Sequence, residues 1–236
     1  MKIYGLHTCQ EAIQSNRYRI NKIYLMKNKK YPDIFTKLSN ITYLDKKQFD
    51  SLFEYTVVHQ GIAMDVELYN TPTLADLKNT DKNYTIAMLD NVTDPHNLGA
   101  IIRSAAVFGI KGIIIHDRSS CKVSGIAAKT ASGGLEYVNI YTVSNLSNTI
   151  RDLKEYGFWI YALCESGNKY LHELDVTGKT CLILGSEGSG IRRLQKENAD
   201  FIVKLPTTSN FSTLNVSNAA AVTFYEVARQ YGFNIS

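Results

Sequence analysis

The sequence predicts an α/β protein built in two parts, and three observations predict it. From Tyr84 onward, short apolar runs alternate with helical segments, which is the pattern of a parallel sheet covered by helices. Residues 1–70 mix period-two strands with short helices and read as a smaller α/β unit. Residues 71–83 between them are polar and loop-like, with Thr71-Pro72 and Asn79-Thr80-Asp81-Lys82-Asn83 acting as breakers.

In the first unit, residues 6–16 have a helical pattern and residues 22–26 alternate like a strand. Short helices are expected at 31–39 and 46–54, on either side of a strand at 41–44, and residues 62–68 form a period-two strand. Leu74-Ala75-Asp76-Leu77 suits one helical turn in the connecting segment, whose composition predicts a hinge. In the second unit (84–236), strands are expected at 85–89, 112–116, 137–141, 158–163, 180–184 and 201–205. The intervening helices are expected at 98–108, 124–131, 146–156, 192–197 and 216–231.

Bulk properties narrow the function classes. A chain of 236 residues holds one large domain, or a medium one with a small one. Hydrophobic residues make up 44%, and no apolar run approaches the roughly 18 residues of a membrane span. Met1-Lys2-Ile3-Tyr4-Gly5 lacks the apolar stretch of a signal peptide, so a cytoplasmic protein is expected, or an organellar one without its presequence. Cys9, Cys121, Cys164 and Cys181 are scattered and read as reduced thiols. His7, His59, His116 and His172 lack metal-ligand spacing, so no metal is expected.

A net charge of +4 permits a nucleic-acid partner without demanding one. Arg17, Arg19, Lys22, Lys27, Lys29 and Lys30, interleaved with Tyr18 and Tyr31, concentrate cations and aromatic rings in the first third. Cations meet phosphates and rings stack on unpaired bases, although a solvated lysine-rich face reads the same way.

Three strings in the second unit carry chemistry. The first, Leu89-Asp90-Asn91-Val92-Thr93-Asp94-Pro95-His96-Asn97-Leu98-Gly99, follows a strand and opens a helix that contains Arg103. The second, Leu184-Gly185-Ser186-Glu187-Gly188-Ser189-Gly190, takes a strand into a glycine-rich turn. Its spacing is not that of a dinucleotide fingerprint, and no phosphate-binding lysine follows it. Glycines there let backbone lie close to a flat ligand. The third runs from Leu205-Pro206 to Leu214-Asn215-Val216-Ser217-Asn218-Ala219-Ala220-Ala221. Pro206 stops the strand, Asn215 or Ser217 can cap the helix, and the alanines admit a close neighbour.

In this order and spacing, the strings resemble the three motifs of SpoU-type RNA ribose 2′-O-methyltransferases of the SPOUT superfamily, from about Tyr84 to the C-terminus. Ile3-Tyr4-Gly5-Leu6-His7 and His59-Gln60-Gly61 resemble landmarks of the L30e-like RNA-binding domain that precedes the catalytic domain in 23S rRNA guanosine 2′-O-methyltransferases. The resemblance implies a C-terminal α/β knot, a trefoil that sequence physics alone does not foresee. It also implies S-adenosylmethionine as cofactor, large-subunit ribosomal RNA as substrate, and a homodimer through the C-terminal domain. A tRNA substrate is one alternative, and a catalytically silent RNA-binding assembly factor is another.

Residue by residue, the resemblance places Leu184, Gly185, Leu205, Leu214 and Ser217 at the cofactor, and Asn97, Arg103, Glu187 and Asn215 at the reaction. Arg17, Arg19, Lys22 and His7 are the expected RNA contacts. A guanidinium suits a phosphate, and with a pKa above about 12 it makes a poor base, so Arg103 reads as an electrostatic partner. Each residue also has a plainer reading: Asn97 as a helix cap, Arg103 as a surface cation, Glu187 as an exposed turn carboxylate, the leucines as core. Ser209, Thr213 and Asn218 depart from the family pattern.

Overall fold

The computed structural model describes residues 1–186, 188–208, 210 and 213–233. The first unit comprises β1 (Lys2–Tyr4), α1 (Leu6–Gln14), β2 (Tyr18–Met26), α2 (Asp33–Thr36), β3 (Ile41–Leu44), α3 (Lys46–Asp50) and β4 (Ile62–Leu68). Its four strands form a sheet in the order β1-β4-β2-β3, in which β2 and β3 are parallel and the other pairs antiparallel.

The second unit comprises β5 (Tyr84–Asp90), α4 (Pro95–Val107), β6 (Gly112–His116), α5 (Gly125–Ala131), β7 (Asn139–Val143) and α6 (Leu146–Glu155). It continues with β8 (Trp159–Leu163), β9 (Lys169–Tyr170), β10 (Lys179–Gly185), α7 (Arg193–Asn198), β11 (Phe201–Lys204) and α8 (Val216–Gln230). Seven strands form one parallel sheet in the order β7-β6-β5-β10-β8-β11-β9. β5, β6 and β10 are buried along almost their whole length, as strands covered on both faces must be.

Local chemistry explains the departures from expectation. β2 begins at Tyr18, four residues early, because a bulge between Ile20 and Lys22 breaks its period-two alternation. α2 spans only Asp33–Thr36, after which Asn40 takes a left-handed φ of 64° to enter β3. α3 ends at Asp50, where the Ser51 hydroxyl turns back to the Gln48 carbonyl at 2.7 Å. β7 starts two residues late because Gly134–Glu136 is a 3-10 turn that Tyr137 closes with a 3.2 Å bond to the Gly134 carbonyl.

The expected hinge is a packed segment. Leu74–Asn79 forms a 3-10 turn, and Leu77 is fully buried in a cluster with Tyr141, Leu146, Ile150 and Leu153. Burying one such side chain contributes about 1.5–3 kcal/mol.

The two units also share a core, in which Ile3, Cys9 and Ala12 meet Ala127, Ala128 and Ala131. Gly125 makes the approach possible: a Cβ there would lie 2.8 Å from the Lys2 carbonyl oxygen. Gln60 Oε1 accepts from the Leu6 N–H at 3.0 Å and from Lys129 Nζ at 2.7 Å, so it bridges α1 to α5.

Arg17, expected at RNA, is engaged within the protein. Its guanidinium donates to the carbonyls of Leu135 (3.1 Å) and Glu136 (2.8 Å) and to Asn139 Oδ1 (2.8 Å), all in the second unit. The carbonyls ending the 3-10 turn lie outside the strands, and a planar fork of donors engages them together. Nearby, burial raises the Glu136 carboxyl above its usual range against the pull of Ser15, Arg17 and Tyr18.

Arg17→Ala is expected to lower stability by about 2 kcal/mol, the scale for losing charge-assisted bonds that leave buried acceptors behind. Arg19→Ala, two residues on and exposed in β2, should change it by less than about 0.5 kcal/mol. Urea denaturation of the two variants compares them directly.

Candidate active site

β5, β10, β8 and β11 are neighbours in a parallel sheet, so the segments that follow them leave from one edge. Ligands in such folds bind outside the carboxyl ends of the strands. Here the chain at the ends of β8, β10 and β11 encloses a cavity of ≈ 850 Å³, lined by Leu163 to Glu165, by Leu184 to Ser186 and by Leu205. Thr213 to Val216, at the entrance to α8, close it.

The glycine turn is the tightest part of the wall. A Cβ on Gly185 would run into the backbone of Gly190 and Ile191. Gly185→Val therefore breaks the turn itself rather than only filling the cavity, so it is not a clean probe of ligand binding. Ser186 and Gly190 form an isolated bridge, with the Gly190 N–H donating to the Ser186 carbonyl at 3.0 Å. The Ser186 and Ser189 hydroxyls bond at 2.6 Å across the turn. Glu187, expected at the reaction, lies outside the described residues, as do Ser209, Phe211 and Ser212 of the loops expected to carry the knot.

A smaller cleft of ≈ 230 Å³ adjoins the cavity and is walled by residues 91–94 and Asn97. Ser186, Ser189 and Val216 line both spaces, so a ligand in one can meet a ligand in the other. Asn97 reaches the cleft because α4 starts just before it: the Asp94 carboxylate caps the helix by accepting from the His96 N–H at 3.0 Å, and Pro95 presets the first turn.

Asn215 joins the two motifs that carry amides. Its Oδ1 accepts from the Ser217 N–H at 2.9 Å and the Ser217 hydroxyl at 2.6 Å, capping α8. Its Nδ2 donates to Asn97 Oδ1 at 3.1 Å, across 118 residues of sequence. Capping and contact with the neighbouring motif are thus one arrangement. Ser217, expected at the cofactor, is engaged in this cap and is not part of the cavity wall. Leu205 and Leu214 do line the cavity, as does Leu184, whose side chain is 2% exposed and belongs to the core.

Arg103 is not brought to either space. Six residues after Asn97, it lies about 240° further round α4 and is exposed. It shares that side of the molecule with an apolar patch at the end of α4 and along α8: Val107 is 63% exposed, Val222 47%, Tyr225 48% and Phe233 53%. The Phe108 and Tyr225 rings meet edge to face at 5.9 Å, and Tyr225 meets Phe233 at 5.7 Å.

The cavity wall also carries the charged residues Glu165, Lys196 and Lys204. Burial pushes the Cys164 thiol up, but hydrogen bonds from Ser166 and the charge of Lys196 outweigh it and hold the thiol below its usual value. On the first unit, Arg19, Lys22 and His7 are exposed. The ammonium groups of Lys2 and Lys22 each sit 5.5 Å from the Tyr24 ring centroid.

Sequence reasoning missed Asp90 and Arg192. Asp90 ends β5 with no exposed surface and accepts from the Arg192 N–H (2.8 Å) and Nε (2.6 Å), with Nη2 also at 2.6 Å. An aspartate after an apolar run resembles an ordinary strand end, and only the three-dimensional pairing shows that it is buried. Among the described residues there is no cluster of metal ligands and no helix long and apolar enough to cross a membrane.

The sequence profile of the SpoU rRNA Methylase family matches residues 84–225. The chain belongs to this family. A second profile, for RNA 2′-O ribose methyltransferase substrate binding, matches residues 2–72. The 23S rRNA (guanosine-2′-O-)-methyltransferase RlmB of Pseudomonas putida is 33% identical over 240 residues, covering 97% of this chain and 96% of that protein. The RlmB of Escherichia coli is 32% identical over 243 residues, covering 97% and 98%. Among solved structures, the SpoU methyltransferase AviRb of Streptomyces viridochromogenes, in complex with AdoMet, superposes with a TM-score of 0.86 at 19% identity. That match covers 98% of this chain and 90% of AviRb, and it bears out the expected SPOUT fold with its separate N-terminal sheet.

Asn215→Ala should cost about 1 kcal/mol through loss of the α8 cap, read as a lower urea midpoint. Gly185→Ala should cost at least the roughly 1–3 kcal/mol of overpacking, because the atoms it meets are backbone and cannot rotate away.

Proposed function

We propose that this chain is an S-adenosylmethionine-dependent methyltransferase that methylates the ribose 2′-hydroxyl of a guanosine in 23S-type ribosomal RNA. The observation that carries this reading is the paired space at the carboxyl edge of the sheet, a ≈ 850 Å³ cavity joined to a ≈ 230 Å³ cleft through Ser186, Ser189 and Val216. The full-length likeness to RlmB proteins supplies the substrate.

The cavity suits the cofactor on chemical grounds. Its glycine turn offers backbone to a flat adenine, its leucines offer apolar wall, and Glu165, Lys196 and Lys204 match the charged amino-acid end. When bound, S-adenosylmethionine supplies a methyl group on a cationic sulfur, an electrophile for an oxygen nucleophile.

Asn97 holds the target ribose in the cleft, with its amide oriented by Asn215. Holding the 2′-oxygen in line with the methyl carbon removes most of the entropic part of the barrier. Arg103 stays protonated and binds an RNA phosphate, and the hydroxyl proton leaves to that phosphate or to water. Glu187 belongs to the same constellation by its place in the second motif.

Arg103 meets the reaction across a homodimer. The apolar patch of Val107, Val222, Tyr225 and Phe233 beside it favours a second copy of the chain there. The first unit recruits RNA through Arg19, Lys22 and His7, with Tyr24 between two lysines offering a ring to an unpaired base. The protein works in the cytoplasm.

In vitro, labelled methyl groups should pass from S-adenosylmethionine to 23S rRNA and not to tRNA, and Asn97→Ala should lower the rate about 10²-fold with cofactor affinity near normal. Transfer to tRNA alone would change the substrate, and no transfer to any RNA would favour an assembly factor. Mixing Arg103→Ala subunits with Asn97→Ala subunits should restore activity at one of the two sites in each heterodimer. No recovery from heterodimers shown to form would rule out the shared site.

A further inference from the structure

Asp90 stands where the two halves of the site meet, and it holds three segments at once. Its backbone pairs in register with Gly185, the residue that opens the glycine turn. Its carboxylate holds Arg192, the first residue beyond Ile191, through the backbone N–H at 2.8 Å and the side-chain Nε at 2.6 Å. Its own chain continues into Asn91, which turns away with a φ of 64° and starts the wall that leads to Asn97. Both ends of the turn, and the root of the segment that carries Asn97, are therefore fixed on one residue.

From this we infer that Asp90 and Arg192 are positioning residues for methyl transfer. The buried carboxylate clamps the glycine turn shut and keeps it in register with the Asn97 segment, so that cofactor and ribose meet at the right separation. The inference rests on the reading of the large cavity as the cofactor site.

The geometry distinguishes this pair from ordinary surface ion pairs. Asp90 is 0% exposed, while the Arg192 side chain is 47% exposed and reaches in from the surface. A carboxylate with no exposed surface needs its hydrogen bonds and its cation, and removing the cation forces it to move or to find another donor. Any such movement is passed to the turn, because Ile191 and Gly190 line the cavity directly before Arg192. It is also passed to the cleft, because Ser186 and Ser189 of that turn face both spaces. The adjacent Arg193 provides the contrast: at 89% exposure it pairs with Glu197 one turn along its own helix.

The test compares Arg192→Gln with Arg193→Gln in the full chain. Calorimetry should show the S-adenosylmethionine Kd raised about tenfold or more by Arg192→Gln and changed less than about twofold by Arg193→Gln. Arg192→Lys, which keeps the charge but not the fork, should fall between wild type and Arg192→Gln. At saturating cofactor, kcat of Arg192→Gln should remain below wild type, because the turn also borders the ribose cleft. Hydrogen exchange gives a reading independent of the cofactor: amides 188–191 and 91–94 should exchange faster in Arg192→Gln while β6 and β7 do not change. A lower Tm with cofactor affinity, kcat and local exchange all at wild-type values would overturn the inference and leave the pair with a purely structural role. If Arg192→Gln does not fold, Arg192→Lys is read against the same outcomes. Wild-type protein that fails to bind S-adenosylmethionine would sink the functional reading instead, while faster local exchange in the variant would still support the clamp.

Discussion

The site exists because seven strands run parallel, and the chain after each of the four central ones must leave the sheet on the same side. Four such exits side by side crowd polypeptide into a small volume, and what lets them coexist is the missing Cβ at Gly185, where the turn folds back onto its own strand. A side chain there collides with the backbone of Gly190 and Ile191, and that backbone is wall for the large cavity. The two serines shared between cavity and cleft belong to this same turn.

Polar contacts between distant segments then fix the arrangement. The hydrogen bond from the Asn215 amide to the Asn97 amide oxygen ties α4 to α8 at their entrances, and Asp90 with Arg192 ties the glycine turn to the central strand. The first is exposed and directional, while the second holds a carboxylate with no exposed surface, so a slip of one residue there leaves a buried group unsatisfied. The apolar sheet supplies most of the stability, and these few contacts supply the register that transfer between two ligands requires.

The alternation of strands and helices after Tyr84 was legible in the sequence because fully buried parallel strands read as plain apolar runs. The glycine turn and the Asn215 cap were legible too, since each is a local requirement written in adjacent residues. Contacts between remote segments were not. Arg17 reads as one more cation in a basic stretch, yet its partners are two main-chain carbonyls and an asparagine more than a hundred residues away. The early start of β2 was hidden by a bulge that resets its alternation; the turn at 74–77 was legible, but the packing of Leu77 into the core was hidden by the polar residues on either side. Arg103 shows the converse: its motif marks it for the reaction, while its place on α4 turns it away from the cavity of its own chain.

The central claim is that this arrangement delivers a methyl group to a ribose oxygen of large-subunit RNA. Mapping 2′-O-methylation across ribosomal RNA from cells with and without this protein tests it most directly. Without the protein, 2′-O-methylation at a guanosine of the 23S-type RNA should be lost, and it should be restored by the wild-type chain and not by Asn97→Ala. An unchanged 2′-O-methylation map in cells lacking the protein would contradict it.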